Sequence, residues 1–304
     1  AEDESPKDYF NTVLYTGNQS NGHGITGVGF QPSFTWIKER SSTSSHLLVD
    51  AVRGADKGLA SNATSAEENL SAGEFVSFDS DGFTVNNNNR TNQSGVTHVA
   101  WNWLAGGSGS SNSDGSITSS VSANQGWPVY HESYGATKYT TLNSTDPAQS
   151  ASNNFNNTEP TSTVFSLGNG STLNGSSNTF IAYCFAEVQG FSSFGQYTGN
   201  GNSSGAVIYT GFRPAWIMIK AIESTGGAAN WRIIDAVRDT FNPAEKHLQA
   251  NTSDSEDTGS GAGFVDILAN GFKIRTTALQ LNSSGKSFSY MAFAEQPFKY
   301  ANAR

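Results

Sequence analysis

The side chains of this chain that could carry out chemistry are its histidines, paired acids and bases, serines and tryptophans. The five histidines do not show the ligand spacing of a zinc site. The segment Gly201-Asn202-Ser203-Ser204-Gly205 matches the esterase pattern Gly-x-Ser-x-Gly, which requires a helix after the serine. Because the strand-like run Ala206-Val207-Ile208-Tyr209 follows instead, the segment is predicted to be a hairpin loop.

An acid and a base stand three residues apart at two places, as Asp50-Ala51-Val52-Arg53 and Asp235-Ala236-Val237-Arg238. In a turn after a strand, such residues pair locally and fix the exit of the chain. A surface pair of this kind contributes under about 1 kcal/mol. The sequence therefore predicts a structural role for Asp50, Arg53, Asp235 and Arg238.

Metal chemistry is not predicted. The segment Asp79-Ser80-Asp81-Gly82 is similar to part of a calcium loop, but the later coordinating glutamate is missing, and a β-turn with glycine at the positive-φ position explains it. Glu187 and Glu295 both end the phrase Phe-Ala-Glu, which favours a role at a strand end. The sequence predicts no catalytic residue, metal or other cofactor.

Trp101 and Trp103 alternate with Asn102 on one predicted strand. Alternation places both tryptophans on the same face of the sheet. That face is either core or an aromatic platform on which sugar rings stack. Both residues are therefore the candidates for glycan stacking.

These residues lie in a chain that repeats itself. Tyr15-Thr16-Gly17-Asn18 followed by Gly29-Phe30-Gln31-Pro32 returns as Tyr197-Thr198-Gly199-Asn200 followed by Gly211-Phe212-Arg213-Pro214 at the same spacing, which indicates an internal repeat. The other repeated pairs are Asp50 with Asp235, Arg53 with Arg238, Gly82 with Gly271 and Phe83 with Phe272.

A shorter middle copy runs from Trp127 through Gly135-Ala136-Thr137-Lys138 to Ala182-Tyr183-Cys184-Phe185. It has neither the Tyr-Thr-Gly-Asn phrase nor the Gly-Phe-x-Pro phrase. Either this copy has lost its first hairpin, or the chain omits that hairpin. The predicted domains are a first repeat at 1–107, a second, shortened repeat at 108–195 after a Gly/Ser linker, and a third at 196–304.

The copies also serve as controls on single residues. His46 stands where Trp127 and Trp231 stand, and His98 where Phe180 and Phe288 stand, so both histidines are predicted to fill aromatic packing positions. His131 occupies the position of Asp50 and Asp235. Cys184 aligns with Asn102 and Ala292 in an apolar strand and is predicted to be a small buried side chain.

Short apolar runs such as Phe180-Ile181-Ala182-Tyr183, separated by Asn, Gly and Ser, predict strands and turns. The run His98-Val99-Ala100-Trp101-Asn102-Trp103 shows the period-two pattern of a strand with one face buried. One turn of helix is predicted around Ala63–Glu68 after the cap residue Asn62. Many short strands with glycine-rich turns bury their apolar faces by stacking two sheets. The fold class is therefore all-β, with tandem antiparallel β-sandwich repeats of jelly-roll-like form.

The composition of the chain limits the classes of partner that it is expected to bind. A net charge of -9 with 14% charged residues argues against nucleic-acid binding, which needs clustered Lys and Arg. One cysteine excludes an intrachain disulfide. The sequence shows neither a signal peptide nor a membrane span, so membrane insertion is not expected.

The phrases Tyr-Thr-Gly-Asn, Gly-Phe-Gln-Pro, Phe78-Asp79-Ser80-Asp81-Gly82-Phe83-Thr84-Val85 and the terminal Phe298-Lys299-Tyr300-Ala301-Asn302-Ala303-Arg304 resemble a family of repeat-bearing virion proteins from tailed phages, especially those of marine bacteria and cyanobacteria. That family is largely a domain of unknown function. The resemblance implies a tail fibre, tailspike or head appendage and brings no catalytic residues with it.

The expected function is thus that of a non-enzymatic virion structural protein that is displayed on the particle and engages either neighbouring copies or the host surface. Its expected partners are further copies of itself, as a trimer, other virion proteins and a host surface glycan. It would be made in the host cytoplasm, reside in the virion and be released by lysis. The alternatives are a lectin-like carbohydrate-binding module and a polysaccharide depolymerase.

Overall fold

The computed structural model describes residues 5–70, 73–105, 126–150, 152–176, 178–227, 229–258 and 264–296. They form an all-β protein of tandem antiparallel β-sandwich repeats, as the sequence predicted. The chain divides into two compact units. Unit 1 comprises Ala1–Gln125, Asn178–Tyr183 and Ser253–Glu256, and unit 2 comprises Gly126–Ser177, Cys184–Thr252 and Asp257–Arg304.

The described residues of unit 1 form nine strands and one short helix. They are β1 (Phe10–Thr16), β2 (His23–Thr26), β3 (Phe34–Glu39), β4 (Leu47–Asp50), β5 (Lys57–Gly58), β6 (Glu68–Asn69), β7 (Ser77–Asp79), β8 (Gly82–Val85), α1 (Asn89–Asn92) and β9 (Thr97–Trp103). A 3-10 turn at Pro6–Asp8 precedes them.

Two sheets enclose the core of unit 1. The larger has the order β1-β9-β3-β4 and the smaller the order β2-β8-β7. Ile37 and Ala100 from the larger sheet pack in one cluster with Ile25 and Phe83 from the smaller sheet. Strand β3 lies between β9 and β4 and is buried along its whole length. A strand buried on both faces has no alternation of buried and exposed residues.

Unit 2 contains the remaining elements. They are β10 (Pro128–Val129), β11 (Lys138–Thr141), β12 (Gln149–Ser150), α2 (Ser171–Asn174), β13 (Ser192–Thr198), β14 (Val207–Tyr209), β15 (Arg213–Ala221), β16 (Arg232–Asp235), β17 (Lys246–Gln249), β18 (Asp257–Thr258), β19 (Val265–Leu268), β20 (Gly271–Ile274), α3 (Leu279–Asn282) and β21 (Ser287–Gln296).

Unit 2 repeats the sandwich of unit 1. Its larger sheet has the order β13-β21-β15-β16-β17-β18 and faces the sheet β14-β20-β19, with Ile217, Ala292, Ile208 and Phe272 in one core. The pairing of β15 with β21 shifts register on either side of Pro214. This fits the restriction of proline to irregular points of a sheet, because it has no N–H to donate.

One meander of three consecutive strands occurs three times, although in the first copy β4 meets β5 only at the isolated bridge between Leu48 and Leu59. Lys57 pairs with Asn69 in the first copy, Lys138 with Ser150 in the middle copy and Lys246 with Thr258 in the third. In the middle copy this meander is the sheet β10-β11-β12. The middle copy therefore retains one edge of the sandwich, and that edge belongs to unit 2.

Three local predictions are wrong. Residues 63–68 contain no helix, and Phe180-Ile181-Ala182-Tyr183 forms no strand. In the complete copies the equivalent strands β9 and β21 lie between two neighbours, and the middle copy lacks the phrase that supplies those neighbours. Cys184 is exposed rather than buried, and it follows the same segment, which joins no sheet.

The predicted domain boundaries fall differently on the structure. The Gly/Ser linker near residue 107 lies outside the described residues, and the boundary near residue 195 lies inside unit 2, within β13. The division into three repeats stays a prediction about the sequence, while the compact units number two. Within the described segments, the helices are too short or too polar to cross a membrane.

Candidate functional site

The Tyr-Thr-Gly-Asn phrase is a structural clamp. In unit 1 the Tyr15 hydroxyl donates to the Thr91 carbonyl at 2.7 Å, and the Asn18 N–H donates to Asn92 Oδ1 at 2.9 Å. Asn92 Nδ2 returns a hydrogen bond to Asn18 Oδ1 at 3.2 Å. The loop after β1 is thereby tied to helix α1.

Unit 2 reproduces the clamp atom by atom. Tyr197 donates to the Leu281 carbonyl at 2.7 Å, and the Asn200 N–H donates to Asn282 Oδ1 at 2.8 Å. Asn282 is fully buried, and its Nδ2 donates to the carbonyls of Asn202 and Thr276, both at 2.7 Å. The amide is occupied by its own chain, so the repeated phrase holds the structure rather than a ligand.

The Gly-Phe-x-Pro phrase is also structural in both copies. Gly29 and Gly211 have φ values of 89° and 83°, a region that a residue with a Cβ rarely adopts. The phenylalanines that follow, Phe30 and Phe212, are buried. Pro32 and Pro214 then lead into or begin the central strands β3 and β15.

The two Asp-x-x-Arg pairs are buried, which corrects the prediction of surface pairs. Asp235 and Arg238 side chains are both 0% exposed and 2.5 Å apart, and the Arg53 side chain is 0% exposed beside Asp50. Each aspartate also accepts the N–H of its arginine. The turn folds the arginine back under the strand end, a feature that the spacing alone does not reveal.

In unit 1 this pair belongs to a larger buried cluster. The Tyr183 hydroxyl donates to Asp50 Oδ2 at 2.8 Å and accepts from Arg53 at 3.0 Å, and Glu67 lies 3.3 Å from Arg53. Burial raises the pKa of Tyr183 well above its usual value. The phenol therefore stays neutral and acts as a hydrogen-bonding bridge.

Trp101 and Trp103 are 0% and 5% exposed. Trp101 packs edge-on to Trp36 at 5.8 Å, and Trp103 stacks with Phe34 at 5.1 Å. Neither ring offers a face to a sugar. Their burial removes the basis for a glycan-stacking platform and leaves the core interpretation.

The histidines also serve packing. His46 is buried and accepts from Trp36 Nε1 at 2.7 Å, and His98 stacks on Tyr15 at 4.8 Å as Phe288 stacks on Tyr197 at 5.1 Å. The predicted aromatic positions of His46 and His98 are thus confirmed. His131 takes the hydrogen-bonding place of an aspartate, because its Nδ1 accepts the Ser133 N–H at 3.2 Å.

The aligned hairpin of all three copies is closed by one hydrogen bond. A backbone N–H just before the first strand of the meander donates to the Oδ1 of an asparagine just after its second strand, at 3.0, 3.0 and 2.9 Å. The pairs are His46 with Asn62, Trp127 with Asn143 and Trp231 with Asn251. Asn62 is therefore the closing residue of a hairpin rather than a helix cap.

Two other motifs have structural explanations. Residues 201–205 form a loop that leads from β13 in one sheet to β14 in the other, so this segment is neither a nucleophile turn nor a hairpin. Asp81 accepts the N–H groups of Gly27 and Gly29 at 3.1 and 2.6 Å, and these bonds lower its pKa. Its turn joins β7 and β8, as the sequence predicted.

A buried lysine lies six residues after the proline of each Gly-Phe-x-Pro phrase. Sequence reasoning missed this feature. Lys38 and Lys220 are 1% and 0% exposed, and burial lowers the pKa of each to about 8. Lys38 Nζ donates to the Glu39 carbonyl at 2.8 Å, and Lys220 Nζ to that of Ala229 at 2.6 Å. Repetition of a lysine inside an apolar strand was the available signal.

His98 and Glu39 form a buried polar pair that unit 2 lacks. His98 Nε2 and Glu39 Oε1 are 3.8 Å apart, and neither has a hydrogen-bond partner. Burial, with smaller contributions from the charges of Lys38 and His23, lowers the pKa of His98 to about 4. Burial raises the pKa of Glu39. At the equivalent positions, unit 2 has Phe288 and Ala221.

Replacing this pair by the residues of unit 2, as Glu39→Ala with His98→Phe, should stabilise the protein by about 1 to 2 kcal/mol at pH 5. Unfolded histidine titrates near 6.5, so the unfolded chain binds more protons than the native chain between pH 6.5 and about 4. Stability of the wild type therefore falls as the pH falls through that window. Glu39 acts in the opposite sense, since its raised pKa favours the native state at lower pH.

Urea unfolding at pH 5 and at pH 7.5 tests this expectation. The double variant should lose less stability on acidification than the wild type, because the variant lacks His98, whose titration destabilises the wild type between pH 6.5 and about 4. Glu39→Ala alone is the control, since it leaves His98 Nε2 buried and unsatisfied. A double variant that is less stable than the wild type at pH 5 would contradict the reasoning.

Two surface clefts of unit 2 are open to a ligand. The first, of about 680 Å³, includes Tyr134, Lys138 and the ion pair of Lys286 with Glu223 at 3.6 Å. The second, of about 590 Å³, is lined mainly by asparagine side chains from residues 152–157 and 167–174. Among the residues with described side chains, no group of three or more His, Cys, Asp or Glu could hold a metal ion.

Comparison with known proteins is consistent with the repetition seen in both sequence and structure. A family model described as "Domain of unknown function (DUF7483)" matches residues 5–126 and again residues 124–297. No curated protein and no solved structure matches the chain. Because the two matches together span nearly the whole sequence, the chain belongs to the DUF7483 family, an uncharacterised domain family that occurs here as an internal repeat.

Proposed function

We propose that this protein is a non-enzymatic structural component of a tailed-phage virion, as a tail fibre, tailspike or head appendage, and that it presents a surface to the host. The observation that carries the proposal is the use made of the repeated polar side chains. In both complete copies they bind the chain itself, through the Tyr-Asn clamp and the buried Asp-Arg pair. A repeat that retains the side chains that hold its fold, and no reactive group, is suited to a structural role.

The phage assignment comes from the resemblance of the repeated phrases to virion proteins of tailed phages. In that setting the protein assembles with further copies of itself, as a trimer for a fibre, and with other virion proteins. It is made in the host cytoplasm and leaves by lysis. The sandwiches supply stability from their cores, while the Asn- and Ser-rich loops are free to contact a host glycan.

A lectin-like module is the second candidate. It is favoured by one observation, the asparagine-lined cleft of unit 2. Uncharged amides are donors and acceptors suited to sugar hydroxyls. This function is compatible with the first, because a virion adhesin both builds the particle and binds the host.

Immunogold electron microscopy on gradient-purified particles tests the virion proposal. Antibodies against this chain should label one fixed structure, such as the fibres, on the particles of the phage that encodes it. Antibodies against the major capsid protein are the positive control, and pre-immune serum is the negative one. Recovery of the protein only from the soluble fraction of the lysate, with unlabelled particles, would overturn the proposal.

A further inference from the structure

We infer that the cleft formed by residues 152–157 and 167–174, here called the asparagine cleft, binds an uncharged oligosaccharide. The inference rests on the adhesive part of the proposed function and gives it a ligand class. The polar side chains that line the cleft come from Ser152, Asn153, Asn156, Asn157, Asn169 and Asn174. The volume of about 590 Å³ lies within the usual range of small-molecule sites.

The two segments of the cleft are fastened to each other by their backbones. The Gly168 N–H donates to the Asn154 carbonyl at 2.9 Å, and the Gly170 N–H donates to the Asn153 carbonyl at 2.8 Å. A Cβ at Gly168 would lie 2.3 Å from the Asn153 oxygen, so glycine permits this close approach. The walls are therefore held at a fixed spacing before a ligand arrives, which limits the entropy lost on binding.

The segment 152–157 of the cleft is anchored to the rest of unit 2. Phe155 is 8% exposed and packs edge-on to Tyr130 at 5.7 Å. Beyond it, Asn156 and Asn157 adopt φ values of 52° and 49°, the left-handed region that asparagine tolerates better than most residues. A buried aromatic followed by a tight turn keeps both amides exposed at the rim.

The amides of the cleft are available to a ligand. Asn153, Asn156, Asn157 and Asn169 are exposed, and within the described ranges their side chains make no hydrogen bond. Asn174 Nδ2 donates to the Gly168 carbonyl at 2.8 Å, and the Asn174 Oδ1 remains available as an acceptor. Each free amide offers a donor pair and an acceptor, the combination that adjacent sugar hydroxyls satisfy.

The charge of the cleft selects the class of sugar. None of the lining residues is ionisable, so a uronate or a sialic acid would lose water there without gaining a counter-charge. Leu167, which is 37% exposed, adds an apolar surface for the C–H face of a pyranose ring. These features together favour a neutral hexose or N-acetylhexosamine oligosaccharide.

A glycan microarray carrying neutral hexose and N-acetylhexosamine oligosaccharides beside sialylated and uronate-containing ones tests the inference. The full chain should bind neutral spots in preference to acidic ones. The variant Asn153→Ala with Asn169→Ala should weaken that binding about tenfold or more, since two hydrogen bonds are lost. Asn87→Ala, an exposed asparagine in unit 1, is the matched control and should bind like the wild type.

Unfolding temperatures of all three proteins should agree, which separates lost binding from lost folding. If the double variant proves unstable, Asn169→Asp gives a second test, because it changes charge with little change of shape and should also weaken binding. Binding to acidic glycans only, binding to none, or unchanged binding by Asn169→Asp and the double variant would overturn the inference. The virion proposal would still stand if immunogold labelling of particles succeeded.

Discussion

Replacing Gly271 by alanine is expected to destabilise unit 2 by more than about 4 kcal/mol, at the exceptional end of single substitutions. A Cβ at this position would lie 1.9 Å from the Ile208 oxygen and 3.0 Å from its carbonyl carbon. Both are backbone atoms of the neighbouring strand β14, so no side chain can rotate away. The strands must separate, and the sheet β14-β20-β19 forms one wall of the core.

Urea or thermal unfolding measures the effect. The control is Gly285→Ala, where φ is 72° but nothing lies within 4 Å of the added Cβ. Gly285→Ala should destabilise the protein only by the cost of the left-handed backbone conformation, about 1 to 2 kcal/mol. Gly82→Ala should behave like Gly271→Ala in unit 1, since its Cβ would lie 2.0 Å from the Ile25 oxygen. Equal losses for Gly271→Ala and Gly285→Ala would show that the clash is relieved without cost.

Replacing Arg238 by methionine is expected to destabilise the protein by about 3 to 5 kcal/mol. The guanidinium bonds Asp235 at 2.5 Å and the Ile233 carbonyl at 2.9 Å. Methionine fills similar space but leaves the Asp235 carboxylate, which is 0% exposed, without its counter-charge. The loss measures the uncompensated buried charge rather than the net value of the pair.

The matched control for this substitution is Arg275→Met. Arg275 and Asp266 are also 2.5 Å apart, but their side chains are 46% and 13% exposed, so water reaches the Asp266 carboxylate once Arg275 is removed and the cost should be under about 1 kcal/mol. Chemical denaturation of both variants at neutral pH compares them. A similar small loss for Arg238→Met would mean that water reaches Asp235 and that the pair is not sealed.

Sequence reasoning correctly found the features that depend on local pattern. The predicted strand His98-Val99-Ala100-Trp101-Asn102-Trp103 lies within β9, although β9 is buried on both faces rather than one. The repeated Gly-Phe pair lies at the start of β8 and of β20. Sequence reasoning also assigned His98 to an aromatic position, since Phe288 stood there in another copy. Side-chain period and substitution between copies are both properties of the chain alone.

The errors arose where the outcome depended on distant residues. The segment 180–183 has a strand pattern but joins no sheet, because the middle copy lacks the two strands that flank its equivalents in the complete copies, and strands form only in sheets. Trp101 and Trp103 share a face as predicted, yet only packing with Trp36 and Phe34 shows that this face is core. The asparagines at 153–157 line a cleft only because the second segment, at 167–174, lies beside them in the fold.

The sequence by itself determined the repetition of the sandwich, the strand pattern and the all-β class. These follow from the period of apolar residues and from turn positions whose backbone conformation favours glycine. Tertiary structure alone decided which polar groups are buried, such as Asp235 and Lys220, and which remain exposed, such as Asn169. Burial is set by contacts between residues far apart in the chain. That is why the asparagine cleft appears only in the folded protein.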